Sequence, residues 1–264
     1  MSGGREDGMM AEESTMPALK FTVKARQHRA RASVLSLPHY DCHTPMFMPV
    51  GTRGTVKGLT PDQLRTLDCH LILGNTYHLD HRPGADVVKE FGGLHDYIRW
   101  DRAMLTDSGG FQMVSLLDLA EITEEGVKFQ SPQDGRTLML TPERSIAIQN
   151  DLGADIIMAL DDVVSAVSPS FARFEEATHR TTRWFDRCLA AHGRREDQNL
   201  FAIVQGGLDR DLRNASLEGL MKRDAQIPGY AIGGLAGGED KESFWNVVSW
   251  WCVLIKIRPI APPP

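Results

Sequence analysis

Roughly six times between residues 44 and 232, a short apolar run ends in glycine or a polar residue and gives way to a segment of helical spacing. The runs cover residues 44–50, 70–74, 105–106, 155–160, 199–204 and 229–232. They are continuously apolar, as suits parallel strands covered on both faces. Strand and helix signals alternating along one chain give an α/β fold with a parallel sheet. A TIM (β/α)8-type barrel and a doubly wound sheet both satisfy this pattern, and both place ligands beyond the carboxyl ends of their strands. No Gly-x-Gly-x-x-Gly follows the first strand, so nothing favours a dinucleotide, and the barrel is preferred.

Local signals fill in the units. Thr60-Pro61 and Thr141-Pro142 pair an N-cap threonine with proline at the first helical position, and Gly153 stops the second helix. Helices are expected over residues 171–191, about 209–223, and from about 240. Alternating residues 127–130 and 137–140, with Asp134-Gly135 between them, predict a β-hairpin inserted into the main repeat. The start, 1–17, is acidic and rich in Gly, Ser and Met, which reads as a flexible tail and not a signal peptide. No apolar run approaches the roughly 20 residues needed to cross a bilayer. The formal net charge of -6 gives no global basic field, so an RNA partner requires a local patch. The basic cluster from Lys24 to Arg31 is one such patch, or simply a solvated edge. Cys42, Cys69, Cys188 and Cys252 are scattered without a Cys-x-x-Cys pair, which suggests reduced, buried thiols in a cytosolic protein.

Chemistry concentrates just after the strand ends. In Leu105-Thr106-Asp107-Ser108-Gly109-Gly110-Phe111-Gln112, a carboxylate ends an apolar run and a Ser-Gly-Gly turn follows. Glycines there let backbone approach a ligand, although Asp and Gly are also ordinary turn residues. Asp161, Gln205 and Gly233 occupy the same place on later strands. A carboxylate accepts two parallel N–H groups, a carboxamide donates and accepts, and a glycine can offer a bare backbone N–H. Such a set suits a planar heterocycle bearing N–H beside C=O, such as guanine. Asp107 then remains for a sugar hydroxyl or for proton transfer. Two carboxylates near a ribose suit a reaction through an oxocarbenium-like transition state. The alternative for Asp161-Asp162 is a pair of helix caps or loop solvation.

Val50-Gly51-Thr52, Leu73-Gly74-Asn75-Thr76-Tyr77-His78-Leu79, Arg82-Pro83-Gly84 and Thr106-Asp107-Ser108-Gly109-Gly110-Phe111-Gln112 resemble the tRNA-guanine transglycosylases. So do Pro142-Glu143-Arg144-Ser145, Ile203-Val204-Gln205-Gly206-Gly207 and Tyr230-Ala231-Ile232-Gly233-Gly234-Leu235, in order, over residues 21–248. Leu160-Asp161-Asp162-Val163 is similar to the eukaryotic catalytic subunits. The resemblance implies a pentosyltransferase on a TIM barrel, exchanging guanine for queuine at the wobble position of tRNAs with GUN anticodons through a covalent enzyme–RNA intermediate. It implies partners as well: the tRNA anticodon loop, a homologous accessory subunit in a heterodimer, and a cytoplasmic setting that extends to the mitochondrial outer membrane. Asp107 falls on the family's proton acceptor, Ser108, Gly109, Gly110 and Phe111 on its substrate loop, and Asp161, Gln205 and Gly233 on its base-recognition positions.

The chain also departs from the family pattern. The family's nucleophilic aspartate, its Pro-Thr-Arg stretch and its zinc ligands, three cysteines and a histidine, have no counterpart here, so no metal ligands are assigned. The expected division is a tail at 1–17, a partial barrel at 18–248, and an apolar, Pro-rich segment at 249–264 outside the family pattern. A barrel without its last two βα units is expected to stay open, with unpaired edge strands. Without the nucleophile, the alternative function is a catalytically dead form that binds only the base or the accessory subunit.

Overall fold

The computed structural model describes residues 18–110, 120–130, 135–165 and 170–254. The acidic start, Phe111, the hairpin turn at 131–134 and the end beyond residue 254 lie outside the described residues.

The chain opens with an antiparallel meander of β1 (Lys20–Gln27), β2 (Ala30–Ser36) and β3 (Asp41–Thr44). The Lys24 to Arg31 cluster forms the far end of its first hairpin, where Arg29 Nη2 donates to the Ser249 carbonyl at 2.6 Å. The strand expected over 44–50 shrinks to β4 (Val50–Gly51), because Pro45 and Pro49 have no N–H to give a ladder, and Phe47 points into solvent. Next come α1 (Pro61–Thr66), β5 (Leu71–Gly74), α2 (Thr76–His81), α3 (Ala85–Glu90), α4 (Leu94–Ile98) and β6 (Ala103–Thr106). Thr60 caps α1 in a reciprocal capping box with Gln63, as the Thr-Pro signal predicts.

The inserted hairpin is present as β8 (Val127–Gln130) and β9 (Thr137–Leu140), joined by β7 (Ala120–Ile122) into a three-stranded antiparallel sheet. The chain continues with α5 (Pro142–Leu152), β10 (Ile156–Met158), α6 (Phe171–Ala191), β11 (Asn199–Val204), α7 (Arg210–Met221), β12 (Tyr230–Ile232) and α8 (Lys241–Leu254). Thr141 caps α5, and Gly153 ends it in the left-handed conformation.

Six strands form one parallel sheet in the order β12-β11-β10-β6-β5-β4, which is strict chain order. Period-two alternation splits their side chains between two cores. Ile72, Met104, Ile157, Leu200, Ala202 and Val204 join the core formed with the helices, including Leu79, Val88, Ile146, Trp184 and Leu220. Leu71, Ala103, Ile156, Met158 and Ile203 face the other way, onto Leu19, Leu37 and Cys42 of the amino-terminal segment. The helical residues of the described core therefore lie on one face of the sheet, and the meander covers the other. A doubly wound sheet would carry helices on both faces and reverse its strand order. Among the described residues the helices and strands thus form an α/β layer wound in chain order, with β4 and β12 at the sheet edges.

Residue 248, where the family-like portion is expected to end, lies inside α8. Val247 is buried and Trp250, one turn on, packs against the same core with the Arg210 guanidinium 4.4 Å from its ring centre. Apolar residues three apart keep one stripe facing inward, so the helix runs through the expected junction.

Candidate functional site

Asp107, Asp161, Gln205 and Gly233 follow the carboxyl ends of β6, β10, β11 and β12, four strands adjacent in the sheet. A chain of contacts joins them. Ser108, next to Asp107, donates its hydroxyl to Asp161 Oδ1 at 3.3 Å, and Gln205 Nε2 donates to Asp161 Oδ2 at 2.5 Å. A Cβ at Gly233 would lie 3.1 Å from that same Gln205 nitrogen. Residues spread over 126 positions of sequence thus meet at one rim.

Among the described residues, Asn75, Thr76 and Gly109 donate to the Asp107 carboxylate. Asn75 Nδ2 donates to Oδ2 at 2.6 Å, and the Thr76 and Gly109 backbone N–H groups each donate to Oδ1 at 3.0 Å. The Thr76 hydroxyl donates to the Asp107 carbonyl at 2.5 Å. Asn75 also caps α2 through the His78 N–H, so the start of that helix and the carboxylate share one anchor. Asn75 and Thr76 were not singled out as site residues from sequence, although their place right after β5 is the signal that finds them. The Gly110 N–H donates to Ser108 Oγ at 3.2 Å, and Ser145 Oγ donates to the Ser108 carbonyl at 2.7 Å. The turn after Asp107 is thereby pinned to α5.

Asp161 and Gln205 are both buried. Burial pushes the Asp161 carboxyl up to about 6. The Gln205 and Ser108 hydrogen bonds pull the other way, while the neighbouring Asp162 charge raises it further. Both aspartates are buried, and among the described residues neither caps a helix, the alternative left open by the sequence. Asp162 is fully buried and bound by Arg173 through both terminal nitrogens, by Arg180 Nη1 at 2.6 Å, and through its N–H to Thr181 Oγ1 at 3.0 Å. The two arginines of α6 occupy the Asp162 carboxylate, leaving Asp161 as the carboxylate facing Gln205.

Gly233 requires a correction. Its N–H donates to the Val204 carbonyl at 3.0 Å and its own carbonyl accepts from Arg213 Nη2 at 2.8 Å, so this amide is not a bare donor for a ligand. What the position needs is the missing side chain: a Cβ would lie 2.4 Å from Ile203 Cγ2. Gly234 follows with φ +65, so close to Gln205 that a Cβ there would sit 2.5 Å from Oε1. Gly233→Val is expected to lower stability by about 1–3 kcal/mol through overpacking and to displace the Gln205 carboxamide. Thermal melts check the first part; a variant melting like wild type contradicts it.

A second cluster was not visible from sequence. At the opposite end of the sheet, just before β10, fully buried Asp155 accepts from the His39 N–H at 3.0 Å, His39 Nδ1 at 2.7 Å and the Met104 N–H at 2.8 Å. His95 Nε2 lies 3.3 Å from its other oxygen, and the two imidazoles stack at 3.6 Å. Among the described residues this is the sole group of three potential metal-binding side chains, and its donor atoms are already engaged with one another. It is not the three-cysteine, one-histidine set that the resemblance implies for a zinc ion. Cys42 and Cys188 are buried apart from each other, their thiols pushed up to about 12 by burial. The described residues therefore do not fit that zinc, and no step is assigned to it.

A family model described as queuine tRNA-ribosyltransferase matches residues 26–259. The chain is 52% identical over 237 residues to the queuine tRNA-ribosyltransferase catalytic subunit of Schizosaccharomyces pombe, covering 89% of this chain and 58% of that protein. It is 51% identical to the Caenorhabditis elegans protein of the same name, covering 90% of this chain and 58% of that protein. To the queuine tRNA-ribosyltransferase of Staphylococcus haemolyticus it is 49% identical over 235 residues, covering 88% of this chain and 61% of that protein. The chain thus spans about three fifths of the length of these relatives.

Proposed function

The chain belongs to the queuine tRNA-ribosyltransferase family, and from that premise we propose that it acts as a tRNA-guanine transglycosylase catalytic subunit. In this reading guanine leaves the wobble position of tRNAs with GUN anticodons and queuine takes its place. The observation that carries it is the hydrogen-bonded line from Ser108 through Asp161 to Gln205, set beside Asp107. An acceptor carboxylate flanked by a carboxamide matches the N–H and C=O edge of a purine-like base.

Each residue then has a role. Asp161 accepts from the N–H groups of the base, and Gln205 donates to its acceptor edge. Asp107, oriented by Asn75, Thr76 and Gly109, takes the proton that the incoming base loses as its ring nitrogen bonds to C1′ of the ribose. A nearby negative charge also stabilises the oxocarbenium character that develops at C1′. The Ser108-Gly109-Gly110 turn, and Phe111 by resemblance, are assigned to the substrate loop. The covalent step calls for a further carboxylate nucleophile, a role to which none of these residues is assigned. The six parallel strands are read as the wall of a TIM (β/α)8 barrel. The tRNA anticodon loop and a homologous accessory subunit belong to the same proposal.

The test is exchange of labelled guanine into cognate tRNA, with saturable guanine binding measured in parallel. Binding is expected, and Asp107→Ala is expected to lower exchange by about 100-fold or more while leaving binding largely intact. Exchange by wild type no greater than by Asp107→Ala, together with no saturable binding, sinks the proposal.

A further inference from the structure

Arg213 of α7 is 1% exposed, yet its guanidinium reaches the backbone of both loops beside Asp161. Nε donates to the Gly207 carbonyl at 2.6 Å, Nη2 to the Gly233 carbonyl at 2.8 Å, and Nη1 more weakly to the Val204 carbonyl at 3.4 Å. Val204 and Gly207 bracket Gln205; Gly233 opens the neighbouring loop. One planar, multidentate donor therefore ties together the ends of β11 and β12.

The surroundings press these pieces against each other. A Cβ at Gly206 would lie 2.6 Å from the Arg213 backbone nitrogen and 2.7 Å from its Cγ, so the turn after Gln205 is flush with α7. Asp209 caps that helix through the Asp211 and Leu212 N–H groups, fixing where Arg213 starts from. On the far side, Gly233 and Gly234 abut the Gln205 carboxamide. A side chain walled in this way moves only when the loops move. Burying a guanidinium is unfavourable, and its proton affinity falls accordingly, to a pKa of about 10. It remains charged at neutral pH. Gross stability is a weak reason to keep a cation there, since apolar groups of similar volume are commonly as stabilising.

We propose that Arg213 is a positioning residue: it locks the β11 and β12 loops together, and so holds the Gln205 carboxamide and, through it, the Asp161 carboxylate in register for a planar base. Arg213 touches no substrate itself. The consequence for base binding rests on the transglycosylase reading; the brace between the loops does not. Lysine keeps the charge but offers a single point donor, which cannot span three carbonyls.

The experiment compares wild type with Arg213→Lys by two readouts below the melting temperature of each protein. Hydrogen–deuterium exchange of peptides spanning 204–208 and 230–236 reads the brace, and equilibrium dialysis with labelled guanine reads the site. Exchange in both loops is expected to quicken by about tenfold, with β10 unchanged, and guanine affinity to fall by about tenfold or more. A merely structural role would lower the melting temperature and leave the affinity of the folded protein alone. Unchanged loop exchange overturns the brace. Loosened loops with wild-type guanine affinity overturn the positioning role. If wild type itself binds no guanine, the transglycosylase reading falls and loop exchange alone decides the brace. Should Arg213→Lys fail to fold, Gly206→Ala, which pushes on the brace from the other side, carries the same two readouts.

Discussion

Guanine affinity is expected to rise about tenfold between pH 5 and pH 7 and then level off, and Asp161→Asn is expected to abolish that dependence. The buried carboxyl of Asp161 titrates near 6 in the free protein. To accept two N–H groups it must be ionised, so below pH 6 binding has to expel a proton, at about 1.4 kcal/mol per pH unit. Asparagine cannot ionise and turns a donor toward a donor. At pH 7 the variant is expected to bind guanine at least 10- to 100-fold more weakly, the worth of about one charge-assisted hydrogen bond. The sign for stability is the reverse. A carboxyl whose folded pKa is raised contributes stability that is fully present below its ordinary value near 3.8 and is lost as pH rises through about 6. At pH 7 without ligand, Asp161 is therefore a liability, on the order of 2–3 kcal/mol, that Asp161→Asn relieves. The variant should melt higher than wild type while binding worse. Calorimetric titrations at several pH values, beside thermal melts, check both halves. A flat wild-type profile, or unchanged affinity in the variant, removes Asp161 from base recognition.

Asp155→Ala is expected to be the most damaging single substitution for the fold, at about 3–5 kcal/mol, or roughly 6–20 °C in melting temperature for a chain of this size. Its carboxylate joins the β2–β3 turn through His39, α4 through His95 and β6 through the Met104 N–H, all at the start of β10. Removing it takes the acceptor at once from the Met104 N–H, from buried His95 and from the more exposed His39. The cluster also fixes a pH dependence. Burial alone would raise the Asp155 carboxyl, but the His39 and His95 hydrogen bonds and their charges hold it well below the ordinary carboxylate range. The Asp155 hydrogen bond raises His39, against the opposing effect of burial. A depressed carboxyl contributes stability above its unfolded value near 4 and loses it as pH falls further; a raised histidine contributes below 6.5 and loses it as pH rises through its folded value. The contribution is thus greatest between about pH 4 and 6.5 and declines on the alkaline side. His39→Gln should remove that alkaline decline, as seen in chemical denaturation from pH 5 to 9. A loss below about 1 kcal/mol in Asp155→Ala contradicts the stapling role.

Much of the architecture was legible because it rests on local rules. The capping signals at Thr60 and Thr141, the stop at Gly153 and the bounds of α6 depend on a few neighbouring residues, and all appear where expected. The inserted hairpin is equally local, with alternating residues on both sides of its turn. The residues between β3 and β4 were less legible, because apolar content suggested a strand while two prolines withheld the donors a ladder needs. The end of the recognised motifs, at residue 248, says nothing of α8, whose course follows the packing of buried Val247 and partly buried Trp250.

The candidate site divides along the same line. That Asp107, Asp161 and Gln205 follow strand ends on one rim was readable, since parallel strands in chain order bring their carboxyl ends to one side. The partners of those residues were not readable. That Asn75 and Thr76 hold Asp107, that Asp162 is matched by Arg173 and Arg180, and that the Gly233 N–H is already bound to Val204 depend on distances between elements far apart in the chain. The amino-acid sequence by itself determined the alternation of strands and helices, the hairpin and the chemical character of the rim, because periodicity, caps and turns are short-range. Only the tertiary structure decided which donors each buried carboxylate meets, because desolvation and hydrogen bonding are set by whatever the fold packs alongside.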